Sequence, residues 1–194
     1  HTYSAEYLSG WRHQPRQSVR TAGAGGLALD TLELFPAALT KEAFAPFGDV
    51  IETDGAQRLS INEGTTERFH DLAGIDVSAE DGSALISIFR GQPRPQPIAI
   101  RMVERHPLSS QAFIPLKDQG WFVVVASSGD IPQVSELRAF HATGRQGVNY
   151  RRGVWHHPLL VLKPDSEFLV VDRGGLGQNC DEFWFQGDGA SIHA

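Results

Sequence analysis

Among 194 residues there is one cysteine, one methionine and only three tyrosines. The single thiol, Cys180, excludes an internal disulfide framework and agrees with a reducing compartment, so a cytoplasmic setting is the expectation. No apolar run approaches the roughly 18 residues that a membrane-spanning helix needs. Residues 1–26 also lack the apolar centre of a signal peptide, so the chain is expected to be neither inserted nor exported. Lys/Arg-rich blocks are missing as well, and the formal charge is -6. That excludes a broad nucleic-acid or anionic-membrane surface, while a local basic pocket for a small acidic molecule stays open. Long amphipathic runs, internal repeats and low-complexity segments are absent too.

What the sequence does hold is 41% apolar residues with 20 glycines and 11 prolines spread through short runs. This pattern predicts one all-β domain with many turns and few, short helices. Strands are expected at Leu27–Phe35, Asp49–Thr53, Glu67–Ala73, Leu85–Arg90, Ile98–His106, Gln111–Leu116, Trp121–Ala126, Arg138–Ala142, Leu159–Leu162 and Phe168–Asp172. Such spacing suggests a sandwich or barrel. Thr40 is positioned to cap a two-turn helix ended by Gly48, and Ser135-Glu136-Leu137 reads as one helical turn. Residues 1–26 close on Ala22-Gly23-Ala24-Gly25-Gly26 and read as a flexible N-terminal extension and Gly-rich linker; the single domain then spans residues 27–194.

Two dense polar words lie about forty residues apart: Glu104 to Phe113 and Gly147 to Pro158. Buried polar groups require hydrogen bonds, a metal or a ligand, and these words sit among strands. Period-two alternation sends Glu104 and His106 to one face and Arg105 to the other. Gln111 follows a Pro-Leu-Ser-Ser turn on a returning strand, and His156 can join from a neighbouring strand after the turn at Gly153. Glu104, His106, Gln111 and His156 together offer mixed N and O donors suited to nickel, zinc or manganese. The bland alternative pairs Glu104 with Arg105 or Arg101 at the surface and leaves His106 bonded to a carbonyl. His156 is favoured over His157, because consecutive residues of a strand face opposite ways.

Arg68 and His70 share a strand face in a looser set with Asn62 and Gly64, with a solvated Glu67–Arg68 pair as the alternative. Arg90, Lys117 and Arg152 are further cations able to hold an anion or simply to face solvent. Tyr150 and Trp155 read as wall or core. Cys180 stands beside acidic groups that disfavour a thiolate, which argues against a cysteine nucleophile. The Gly174-Gly175-Leu176-Gly177 run lacks the helix that a phosphate loop needs.

Six ordered words, Glu67-Arg68-Phe69-His70-Asp71-Leu72, Glu104-Arg105-His106-Pro107, Gln111-Ala112-Phe113-Ile114-Pro115, Gly147-Val148-Asn149-Tyr150, Trp155-His156-His157-Pro158-Leu159 and Asp172-Arg173-Gly174-Gly175, resemble the ureidoglycolate lyase family, formerly called ureidoglycolate hydrolase. The resemblance runs from about Leu32 to Cys180. It implies a cupin-like, jelly-roll-like β-barrel, a homodimer, and the splitting of (S)-ureidoglycolate into glyoxylate and urea, late in allantoin and purine breakdown. It also implies a divalent metal, nickel in particular, and no organic cofactor. Against the general cupin pattern, Glu104 occupies the first His position, His106 the second, Gln111 the Glu position and His156 the His of the second motif.

Ureidoglycolate carries a hydroxyl, a carboxylate and a ureido nitrogen on one carbon. Its cleavage needs a base for the hydroxyl, an acid for the departing nitrogen and a cation for the carboxylate. The expected base is His106 or Glu104, and the expected acid His70 or His156. Arg68, Arg90 and Lys117 are candidates for the carboxylate, and Asn149 and Gln111 for the ureido group. Two competing functions are an amidohydrolase that releases ammonia and a non-catalytic cupin-like sensor of small acids. No nucleic-acid or membrane partner is expected.

Overall fold

A computed structural model describes residues 31–127 and 129–193. The expected extension and linker, residues 1–26, lie outside the described residues. The regular structure of these residues is nearly all strand, with one α-helix, Lys41–Phe44. Thr40 caps that helix, accepting from the Ala43 N–H at 3.2 Å. The helix is one turn, not two, and Gly48 opens the next strand.

The fold is all-β and cupin-like, built in three layers. Strands Gly48–Ile51, Gly147–Tyr150, Gln111–Pro115, Ser166–Gly174 and Ser83–Gly91 lie side by side in that order in a five-stranded sheet. A seven-stranded sheet is ordered Asp181–Trp184, Met102–Arg105, Trp155–His156, Trp121–Ala126, Arg138–Ala142 and Ala37–Ala38, with Leu160–Val161 also on Trp121–Ala126. Leu32–Leu34, Ala190–Ile192 and Ile98–Ile100 form a small third sheet. The pairings leave these sheets open instead of closing one hydrogen-bonded ring.

Packing explains the run Trp121-Phe122-Val123-Val124-Val125-Ala126, which does not alternate in polarity. Trp121, Val123 and Val125 face the five-stranded sheet, where they pack with Phe113, Val148, Phe168 and Val170. Phe122, Val124 and Ala126 face the third sheet and its Ile98, Ile100 and Ile192. A strand covered on both faces reads as continuously apolar. Trp121 and Phe168 meet edge to face across the first core, with centroids 4.8 Å apart, a geometry that adds about 1 kcal/mol to the burial itself.

The expected single strand Ile98–His106 is two. Ile98–Ile100 belongs to the third sheet and Met102–Arg105 to the seven-stranded one, with exposed Arg101 between them. Gln111–Pro115 therefore does not return beside Met102–Arg105; it lies in the facing sheet. Strands without a counterpart in the expected series include Gln57–Ile61, Ala37–Ala38, Gly147–Tyr150, Asp181–Trp184 and Ala190–Ile192. The first of these pairs with Thr66–His70 in a separate two-stranded hairpin.

Candidate active site

The polar words meet between the two large sheets. Met102–Arg105 carries Glu104, and the chain leaves that strand at His106. His156 is the direct cross-strand partner of Glu104. From the facing sheet, Tyr150 and Gln111 are cross-strand partners on adjacent strands. Gly153 ties the two words together: its φ of 75° makes the turn that returns the chain to His156, and its N–H bonds the His106 carbonyl at 3.0 Å.

Alternation works as expected around Glu104. Arg105 points the other way, bonding Asp181 at 2.9 Å and lying over the Trp155 ring at 4.6 Å. Inside, the Tyr150 ring stacks on His156 with centroids 4.1 Å apart, and His106 lies 5.3 Å from His156 on the same centroid measure. His106 is held from both ends, with Nδ1 2.6 Å from the Asn179 carbonyl oxygen and Nε2 3.0 Å from Gln111 Oε1. His156 Nδ1 donates to the Val154 carbonyl at 3.0 Å. Its Nε2 is buried without a hydrogen-bond partner among the described residues, 3.6 Å from Glu104 Oε1.

Burial alone would raise the Glu104 carboxyl, but interaction with His156 and the nearby His106 and His157 hold it below its ordinary value. Burial, helped by His156, pushes the His106 imidazole down against the Asn179 carbonyl, Glu104 and Gln111. The site thus keeps an ionised carboxylate among desolvated imidazoles. His157 faces away, bonds the Pro158 carbonyl through Nδ1, and is lowered to about 4 chiefly by burial. Burial and the charges of Glu104, Glu182 and Asp181 push the Cys180 thiol up to about 12, so it is no nucleophile.

A cavity of about 330 Å3 opens beside this cluster. Phe89, Phe113 and Leu159 wall it, and Glu104, Gln111 and Arg90 bring polar atoms to it. Arg90 pairs with Glu167 at 2.7 Å, and Lys117 reaches the same carboxylate at 3.6 Å.

The structure does not bring every expected residue here. His70 lines a second cavity with Lys41, Asp49, Asp71 and Arg151, which shares no lining residue with the first. Arg68 sits exposed on the two-stranded hairpin. Asn149, adjacent to Tyr150, takes the opposite face of its strand, where its amide donates to Asp49 and to the Gly74 carbonyl at 3.0 and 2.8 Å. The same alternation that sends Tyr150 inward sends Asn149 outward. Two contributors went unread in the sequence. Asn179 supplies a carbonyl from a distant loop, for which no local signal exists. Asp172 ends the inward stripe Phe168, Val170, Asp172, and a carboxylate in that stripe was a readable signal.

One ligand atom each from Glu104, His106 and His156 lies within 4.8 Å of the others. A carboxylate and two imidazoles, with the His156 Nε2 otherwise unpartnered, fit a divalent metal. Gln111 Oε1 stands beside them as a further oxygen.

The family model described as Ureidoglycolate lyase matches residues 31–192. Relatives named ureidoglycolate lyase include one from Stutzerimonas stutzeri, 56% identical over 158 residues, which are 81% of this chain and 92% of that protein. The Pseudomonas syringae pv. tomato protein is 56% identical over 80% of this chain and 91% of its own length. The Burkholderia mallei protein is 58% identical over 79% and 89%. With these words, this fold and this cluster in hand, the chain belongs to the ureidoglycolate lyase family.

Proposed function

We propose that this protein is a carbon–nitrogen lyase that splits (S)-ureidoglycolate into glyoxylate and urea; the relatives it matches are named ureidoglycolate lyase. The observation that carries the reading is the convergence of Glu104, His106 and His156 beside a small cavity in a chain matched to that family over most of its length.

Glu104 is the base. It is the member of the cluster that lines the cavity, and its neighbours keep it ionised. His106 Nδ1 donates to the Asn179 carbonyl, which turns Nε2 toward the cluster beside Gln111 Oε1 and suits the ring to holding the cluster in place. Glu104 takes the hydroxyl proton; the C–O bond becomes a carbonyl as the C–N bond breaks, and the ureido nitrogen leaves with the electron pair. The proton that Glu104 took from the hydroxyl then passes to that nitrogen, which returns Glu104 to its ionised state beside His156, 3.6 Å away. No water is consumed. Arg90 holds the substrate carboxylate at the mouth, and the Gln111 amide faces the ureido group. Held by Glu104, His106 and His156, with Gln111 beside them, a divalent ion would make the substrate hydroxyl more acidic. Nickel is the identity that the resemblance favours.

A homodimeric, cytoplasmic enzyme belongs to the same proposal. Among the described residues no helix is long and apolar enough to cross a membrane.

Product analysis on purified protein tests the reading. Urea and glyoxylate in equal amounts support the lyase. Ammonia in place of urea would make it an amidohydrolase, and binding without turnover would make it a sensor of small acids.

A further inference from the structure

Asp172 is 9% exposed and Gln111 1%. They are neighbours on the inner face of the five-stranded sheet: Phe113 pairs with Val170 and Ala112 with Val171, so the next residues in register are Gln111 and Asp172. The Gln111 side chain lies against the Asp172 carboxylate and favours its charged form. Asp172 Oδ1 has no hydrogen-bond partner among the described residues. Among the described residues no cation pairs with the carboxylate either; the adjacent Arg173 turns to the Ala79 and Glu80 carbonyls. Burial raises the Asp172 carboxyl. A buried carboxylate of this kind costs stability.

What it supplies is direction. A carboxylate only accepts hydrogen bonds, so the end of Gln111 beside it is the NH2 group. The oxygen then points the other way, to 3.0 Å from His106 Nε2. We infer that Asp172 is a positioning residue that locks the Gln111 amide with its oxygen toward the Glu104–His106–His156 cluster. An uncharged amide at position 172 would offer both a donor and an acceptor, and Gln111 would lose its preferred orientation.

This inference rests on the lyase reading and is tested with the full chain by ureidoglycolate turnover. Asp172→Asn is expected to lower kcat about 10- to 100-fold, the scale of a misplaced group. KM should stay within about twofold and the melting temperature should not fall, since a costly buried charge has been removed. Gln111→Ala is expected to lower kcat similarly, and adding Asp172→Asn to it should cost nothing more, because the lock acts only through Gln111. Wild-type kcat in Asp172→Asn, or multiplying effects in the double variant, would overturn the inference. If Asp172→Asn fails to fold, the exchanged pair Gln111→Glu with Asp172→Asn is compared with Gln111→Glu alone. Higher turnover in the pair supports the lock, and equal or lower turnover overturns it. Wild-type protein that releases no urea would instead sink the lyase reading.

Discussion

Glu104 and His156 are cross-strand partners whose side chains approach to 3.6 Å in the interior, next to a cavity. Neither residue is adapted to a core by itself. Interaction with His156 helps keep Glu104 ionised against the cost of burial, so the pair sets a carboxylate base beside an imidazole a few ångströms away. Glu104→Gln keeps the shape and removes the base. Turnover measured by urea release is expected to fall about 10²- to 10⁴-fold with an unchanged circular dichroism spectrum. Retained turnover in that variant would take the role of base away from Glu104.

Arg90 and Lys117 share Glu167, but only Arg90 lines the cavity. Arg90→Gln is expected to raise KM about tenfold or more with little change in kcat, as for a group that holds substrate and transition state alike. Arg68→Gln, on the exposed hairpin, should leave both constants near wild type. Steady-state kinetics on the two variants decides between the sites.

His157 is buried neutral, its value lowered to about 4 from about 6.5 in an unfolded chain. Between these values the unfolded state binds the extra proton, so stability is full above about pH 6.5 and is lost as pH falls toward 4. The loss from this residue is on the order of 3 kcal/mol. Urea midpoints at pH 7 and pH 4.5 should differ strongly for wild type and less for His157→Leu; equal differences in the two proteins would contradict this origin.

Gly48 adopts a φ of 151°, and a Cβ there would overlap the Asn149 carbonyl oxygen. Gly48 pairs with Tyr150, the residue that stacks on His156. Gly48→Ala must therefore push apart the strand that positions the site. The expected cost is about 3 kcal/mol or more in chemical denaturation, with activity falling in the protein that remains folded. A wild-type midpoint for this variant would show that the edge strand yields freely.

The fold class was legible because short apolar runs punctuated by Gly and Pro leave little alternative to a β architecture. Trp121–Ala126 and Arg138–Ala142 were legible to the residue. So was the opposition of Glu104 and His106 to Arg105, since alternation is a property of the strand alone. Less legible was the break at Arg101, because Ile98 and Val103 are equally apolar and pack in the same core, and differ only in the sheet to which each belongs. The hairpin expected between His106 and Gln111 was a reasonable local reading of Pro-Leu-Ser-Ser. In the folded chain those residues touch across two facing sheets instead.

By itself the sequence determined which side chains share a strand face, which turns require glycine, and which polar residues lie among apolar neighbours. These are local consequences of backbone sterics and strand period. Only the tertiary structure decided that Gln111 and Tyr150 confront Glu104, His106 and His156, that Asn179 and Asp172 hold the arrangement, and that His70 lines a separate cavity. Those relations depend on how whole sheets pack, and packing is settled by the sum of many burials far apart in the chain, which no single segment encodes.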